Sequence, residues 1–154
     1  MSILFILISR SEIIYLKKIF FNNADVSYKL KDKNGIRLLI EHVFKKEKKL
    51  LDQLSIILCS DEYLLSLNQK FLSHDYFTDI LTFEISNPGE PIVGELYIST
   101  DRIAENAQNL NVPARDEVLR VIIHGVLHLC GYKDNTKVLK RQIHKKEDFY
   151  LKAF

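Results

Sequence analysis

Two histidines and one aspartate near the C-terminus have the spacing of a metal site. His124 and His128 are four residues apart in an apolar segment that predicts a helix, so their imidazoles share one helix face. Gly131 lets the chain turn out of that helix and return Asp134 toward the same point. Two imidazoles and one carboxylate leave a fourth position for water, as in catalytic zinc sites. We therefore predict one Zn²⁺, or another divalent transition metal, held by His124, His128 and Asp134.

The same spacing occurs in metallopeptidases, which place a glutamate directly after the first histidine as general base. Here that position is Gly125, which offers no side chain for acid–base chemistry. Phosphodiester hydrolysis depends more on metal polarisation and charge neutralisation than on a dedicated base. Peptide hydrolysis is therefore disfavoured. A third interpretation, that the histidines are only polar tips of a core helix, leaves the matching offsets of Gly131 and Asp134 unexplained.

The composition is that of one globular domain without a strong charge bias. The chain has 154 residues, 47% of them hydrophobic, and a net charge of +2, which neither demands nor excludes a nucleic-acid partner. Cys59 and Cys130 lie in apolar runs, which predicts buried, reduced thiols and a cytoplasmic location. The apolar run over 2–9 is too short to span a bilayer and lacks the flanks of a secretory signal, so we predict no membrane association.

The rest of the chain alternates helical and extended patterns. Strands are predicted over 54–59, 80–85 and 94–99, the last two paired as a hairpin. Helices are predicted over 34–48, after an N-cap at Asp61, after a cap at Asp101, over the apolar stretch 114–130 and over the polar stretch 136–152. We predict an α/β (α+β) domain, with a single small mixed sheet packed against about five α-helices. The metal site should lie at the C-terminal end of the central apolar helix.

The segment from His124 to Tyr132 resembles the signature of the YbeY family, the bacterial endoribonucleases and ribosomal RNA maturation factors. The run His74–Phe83, preceded by Leu67, Asn68 and Phe71, resembles the second block of that family, and Gly94–Ser99 resembles the third. The resemblance extends from about Ile19 to the C-terminus. We interpret 1–154 as a single domain of this kind. Residues 1–18 are interpreted as an extension, or as the result of an upstream start-site assignment.

The resemblance implies a metal-dependent endoribonuclease that is specific for single strands. It also implies a role in 16S ribosomal RNA 3′-end processing and ribosome quality control, and association with the small ribosomal subunit. No obligate protein partner is evident from the sequence. Its metal ligands correspond to His124, His128 and Asp134. Basic residues that follow the motif are, by composition, a solvated helix face, and they are also candidates to contact RNA phosphates: Lys133, Lys137, Lys140 and Arg141.

Two positions depart from the family pattern. Asp134 stands where many members have a third histidine, and it remains a good metal ligand. Leu72 stands where many members have an arginine that is thought to hold RNA. Either Lys70 or His74 takes over this role, so both are candidate catalytic residues, or activity is weak.

Weak activity leaves a non-catalytic alternative open. The chain would then be a ribosome-assembly factor in which the metal only staples the C-terminal helices. A fourth protein ligand would favour that alternative, because structural zinc sites are closed. Cys130 is the nearest candidate for such a ligand in the sequence, although its place beside Gly131 predicts that it points into the core.

Overall fold

The computed structural model describes residues 18–154, which form four strands and five helices. In chain order the elements are β1 (Ile19–Asn23), α1 (Lys33–Lys46), β2 (Leu51–Cys59), α2 (Asp61–Leu72), β3 (Ile80–Glu84), β4 (Ile92–Ser99), α3 (Thr100–Leu110), α4 (Ala114–Leu129) and α5 (Lys137–Leu151). The predicted helices and strands are all present, with small shifts at their ends. The interpretation of 1–18 as an extension falls, apart from Lys18, outside the described residues.

The four strands form one mixed sheet in the order β1-β2-β4-β3. β2 pairs in parallel with β1 and β4, whereas β3 runs antiparallel to β4 with Ile80 opposite Ile98, which confirms the predicted hairpin. β3 is therefore an edge strand. β1 was not predicted from the sequence: Ile19 pairs with Leu54, and such a distant parallel pairing leaves little local signal.

Serines, not aspartates, cap two of the helices. The Ser60 hydroxyl accepts from the Tyr63 N–H at the start of α2, and Ser99 accepts from Arg102 at the start of α3. The predicted caps at Asp61 and Asp101 are therefore wrong. Both aspartates lie in the first helical turn, where a carboxylate stabilises the positive end of the helix dipole.

The core is built around α4, as the apolar pattern predicted. Ile122, Ile123, Val126 and Leu127 are fully buried. Burying each such side chain stabilises the fold by about 1.5–3 kcal/mol, which holds the helix firmly against its neighbours. The core cluster around α4 includes buried side chains of α1, β2 and β4, among them Ile40, Val43, Leu54, Ile56, Leu96 and Ile98.

The two cysteines are free and buried, as predicted. Burial raises the pKa of each thiol to about 12, so both are protonated at neutral pH. Within residues 18–154, no helix is long and apolar enough to cross a membrane.

Glu117 on α4 makes the stability of the protein pH-dependent. Its side chain is buried, Asn106 donates to one carboxylate oxygen, and the other has no partner among the described residues. Burial raises the pKa of Glu117 above 4.5, so the neutral form favours folding, and that contribution disappears as pH rises through the raised pKa. We expect Glu117→Gln to gain stability relative to wild type between pH 4.5 and pH 8, measured by urea unfolding. A difference that stays constant with pH would contradict this.

Candidate metal centre

The three predicted ligands come together at the C-terminal end of α4. One ligand atom from each of His124, His128 and Asp134 lies within 4.8 Å of the others. The two histidines occupy one face of the helix, as their spacing predicted. Gly131 follows the helix with φ of 103°, a backbone conformation that favours glycine, and the chain then returns Asp134 to the histidines.

The distances between the ligand atoms suit one ion. His124 Nε2 and His128 Nε2 are 2.9 Å apart, and Asp134 Oδ2 lies 3.6 Å from each of them. A tetrahedral ion with bonds of about 2.0–2.1 Å requires ligand atoms about 3.3 Å apart. The observed separations bracket that value, so only small side-chain movements are needed to close the three atoms around an ion.

The hydrogen bonds of both rings direct their lone pairs toward this point. His128 Nδ1 is 2.9 Å from the Tyr132 carbonyl, which can only accept, so Nδ1 donates and the neutral ring has its lone pair on Nε2. His124 Nδ1 is 2.7 Å from Glu147 Oε1, a carboxylate oxygen that also accepts. Two neutral rings would therefore bring two acceptor nitrogens together at 2.9 Å. A cation between them removes the repulsion, and the residues present fit a divalent metal.

Electrostatics also favour a cation here. Burial of the His124 ring lowers its pKa, but the hydrogen bond to Glu147 and the charges of Glu147, Asp134 and Asp79 outweigh burial and raise it. The surrounding acids thus favour positive charge at the ring. A metal ion supplies that charge without a proton.

Glu147 on α5 is the partner that orients His124, and sequence reasoning missed it. Its side chain is only 2% exposed, and Arg120 binds its second oxygen at 3.3 Å and Asp148 at 3.0 Å. A buried carboxylate on the outer nitrogen of a metal-binding histidine fixes ring orientation and strengthens the ligand. The only sequence signal is one acid in a polar helix, which composition alone does not separate from a surface residue.

A second network holds the turn after α4. The Glu47 carboxylate accepts from the Tyr132 and Tyr150 hydroxyls and binds Lys146 Nζ at 2.9 Å. The carbonyl of the same Tyr132 accepts from His128. Glu47 therefore joins α1 and α5 to the loop that positions the second ligand.

The three ligand side chains line a cleft of about 480 Å³ beside the edge strand β3. Besides the three ligands, it is lined by Thr78, Asp79, Ile80, Leu81, Thr82, Glu84 and Leu129. Among the described residues, the cleft lining thus contains two further carboxylates, those of Asp79 and Glu84, and no lysine or arginine. Sequence reasoning did not select these polar groups, because only the pairing of β3 with β4 places them opposite α4.

The other predicted site residues lie outside the described lining of the cleft. Lys70 is at the end of α2 and His74 is in the loop that follows, and both are exposed. The four predicted RNA contacts after the metal motif are also exposed, on the turn and the outer surface of α5: Lys133, Lys137, Lys140 and Arg141. Their roles in catalysis and RNA binding remain predictions.

No fourth protein ligand closes the cluster within residues 18–154. Cys130 is buried in the core, as predicted, and is not part of the cluster. An ion held by these three ligands would keep a position for water or substrate, as catalytic zinc sites do.

Gly125 packs directly against the sheet, so a peptidase-type glutamate would not fit there. A Cβ at this position would lie 2.6 Å from Ile80 Cδ1 and 2.8 Å from Leu96 Cδ2. We expect Gly125→Ala to lower the free energy of unfolding by about 1–3 kcal/mol through overpacking, partly offset by about 1 kcal/mol of better helix propensity. Chemical denaturation would measure the change. An unchanged or higher stability would show that Ile80 and Leu96 can move aside.

Comparison with known proteins points to one family. Residues 19–154 match the family described as Endoribonuclease YbeY. A protein of that name from Cytophaga hutchinsonii is 46% identical over 86% of this chain and 93% of its own length. Another from Flavobacterium psychrophilum is 39% identical, over 86% and 94%. A Thermotoga maritima protein of known solution structure superposes with a TM-score of 0.61 at 30% identity, covering 86% of each chain.

Proposed function

The chain belongs to the YbeY family of endoribonucleases, and we propose that it uses one zinc ion to cut single-stranded precursor RNA at the 3′ end of 16S ribosomal RNA. The observation that carries this proposal is the convergence of His124, His128 and Asp134 at one end of a cleft. The open side of the cluster would give a phosphodiester access to a bound ion. A role in ribosome quality control belongs to the same proposal.

The ligands, the groups that orient them and two cleft carboxylates have parts in the proposed reaction. His124, His128 and Asp134 would hold a zinc ion, which would supply Lewis acidity toward the phosphodiester and the attacking water. Glu147 and the Tyr132 carbonyl hold the two imidazoles in the orientation that binding requires. The carboxylates of Asp79 and Glu84 line the same cleft and are the groups proposed to accept the proton that the attacking water loses.

The substrate and the location of the protein are part of the same proposal. We propose that ribosomal RNA, presented on the small ribosomal subunit, is the partner, and that the protein acts in the cytoplasm. Two buried, protonated thiols agree with a reducing compartment. The alternative is a ribosome-assembly factor without catalysis, and the following experiment distinguishes the two.

Cleavage of a single-stranded RNA containing the 16S 3′ precursor sequence tests the function. We expect the zinc-loaded protein to cut this strand, to lose activity after treatment with a chelator, and to regain it when zinc is returned. A duplex of the same sequence should be cut far more slowly. The reaction products are resolved on a sequencing gel, which also shows whether cuts are internal.

Two controls make this test decisive. His144→Ala removes an exposed histidine on α5 outside the cleft lining, so it should cleave as wild type does. Metal analysis must show one zinc per chain before the assay. If the zinc-loaded protein leaves the strand intact, catalysis is excluded and the assembly-factor function is supported.

A further inference from the structure

Four large apolar side chains are exposed on the segment that leads from α2 into the cleft. Phe71 and Tyr76 are each 58% exposed, Phe77 is 51% exposed and Leu72 is 44% exposed. Single exposed apolar residues are ordinary, but four within seven residues form a patch, and such patches mark binding surfaces.

A basic side chain lies against each of the three rings. Lys70 Nζ lies 5.1 Å from the centre of the Phe71 ring, and the Arg102 guanidinium lies 5.3 Å from that of Phe77. The His74 ring stacks on Tyr76 with centroids 5.1 Å apart and planes 24° apart. We call these six residues the aromatic platform: Lys70, Phe71, His74, Tyr76, Phe77 and Arg102.

The backbone of the platform is held while its rings face solvent. Asn68 is 1% exposed, and its Nδ2 donates to the Tyr76 carbonyl at 2.9 Å. The Asn68 carbonyl accepts from the His74 N–H at 3.3 Å. Both ends of the exposed loop are thus tied to α2, which lowers the conformational entropy that a ligand would otherwise have to remove.

The platform is continuous with the metal cleft. Thr78 and Asp79 line the cleft, and they directly follow Phe77 in the chain. Consecutive Cα atoms are about 3.8 Å apart, so the Tyr76 Cα lies within about 7.6 Å of the Thr78 Cα. A polymer that enters the cleft on this side therefore passes the platform.

The charge of the cleft explains why such a surface is needed. Asp79, Glu84 and Asp134 place three carboxylates there, and no lysine or arginine lines it among the described residues. One divalent ion does not balance three carboxylates, so the cleft itself attracts phosphates weakly. Leu72 supplies no charge at the end of α2. Affinity for a substrate strand must come largely from groups beside the cleft.

We propose that the aromatic platform binds single-stranded RNA by stacking unpaired bases on Tyr76, Phe77 and Phe71, while Lys70 contacts the phosphates. This proposal rests on the endoribonuclease function and names how that site holds its substrate. Aromatic rings interleaved with cations are the usual means of binding single strands, and they require unpaired bases. Lys70 and His74 then act in RNA binding and not in proton transfer.

Binding of a short fluorescein-labelled RNA by the zinc-loaded full chain tests the proposal. Fluorescence anisotropy is recorded at low temperature, with a gel to confirm that the strand stays intact. We expect Tyr76→Ala to weaken binding about 5- to 150-fold, which corresponds to the about 1–3 kcal/mol of one base–aromatic stack. Tyr76→Phe keeps the ring and loses only the hydroxyl bond to His74 Nδ1, so it should bind nearly as wild type.

Two matched probes separate stacking from other contacts. A strand of the same length without bases keeps its phosphates, and Tyr76→Ala should bind it as wild type does. Phe149→Ala removes another exposed ring, on α5, and should bind the normal strand as wild type does. If Tyr76→Ala loses affinity equally for both strands, or binds the normal strand as wild type does, the proposal is wrong. In the second case, a protein partner becomes the candidate ligand of the platform.

Thermal unfolding shows whether Tyr76→Ala is still folded. Tyr76 contributes an exposed ring and its backbone bond survives substitution, so the variant should unfold at the wild-type temperature. If the platform proposal is wrong, the wild type still shows zinc-dependent cleavage. Failure of the endoribonuclease function appears instead as no cleavage by any form of the protein. The two failures are therefore distinguishable.

Discussion

His128→Ala is expected to abolish RNA cleavage and to weaken zinc binding by more than about 100-fold. His128 supplies one of three ligand atoms within 4.8 Å of one another, and two ligands cannot complete a stable zinc site. The loss should exceed the roughly 10–100-fold effect of removing a group outside the ligand set. Zinc affinity is measured by competition with a chromogenic chelator, and cleavage is measured on the 16S precursor strand.

The fold of this variant should survive, because the His128 side chain is 25% exposed and lies at the end of α4. Its hydrogen bond to the Tyr132 carbonyl is lost, at a cost of about 0.5–1.5 kcal/mol. Circular dichroism before and after zinc addition checks this. If His128→Ala cleaves as fast as wild type, in a preparation shown to be free of other nucleases, the proposed metal centre does not take part in catalysis.

Glu147→Leu is expected to weaken zinc binding by roughly 10- to 100-fold without removing any ligand. The substitution deletes the carboxylate that accepts from His124 Nδ1 at 2.7 Å, so the ring is free to turn and Nε2 is a weaker ligand. Glu147→Gln keeps an acceptor oxygen but not the charge, and it should fall between wild type and Glu147→Leu. The readout is zinc affinity measured without RNA, which a change in RNA contacts would not affect.

Asp148→Asn is the matched control for Glu147. Asp148 is the next residue and binds the same Arg120 at 3.0 Å, but it is 56% exposed and does not contact His124. An exposed ion pair contributes about 0–1 kcal/mol to stability, so this variant should keep wild-type zinc affinity. If all three variants bind zinc with the wild-type affinity, Glu147 is only a structural partner of Arg120.

Much of the metal centre follows from local rules that the sequence expresses directly. A helical repeat of 3.6 residues places His124 and His128 on one face, and Gly131 permits the turn that returns Asp134. The same periodicity identified α4 as the central apolar helix. These features depend on neighbours within about ten residues along the chain, so no knowledge of the packing was needed.

Local patterns located the starts of α2 and α3 but chose the wrong capping groups. Asp61 and Asp101 are good N-cap residues by type, yet the serine one or two positions earlier caps each helix. Asp61 instead binds Arg102, which is 41 residues away. A tertiary ion pair therefore competed with the local cap, and sequence patterns carry no record of that partner.

Only the tertiary structure decided what surrounds the ligands. β1 is a strand because β2 is available to pair with it, and β3 lines the cleft because it forms the free edge beyond β4. Glu147 lies 23 residues after His124 and meets it through packing of α5 on α4. Lys70 and His74, chosen by resemblance, lie beside the cleft on the aromatic platform. Contacts between distant segments depend on how helices and strands pack, and no periodicity within a segment encodes that packing.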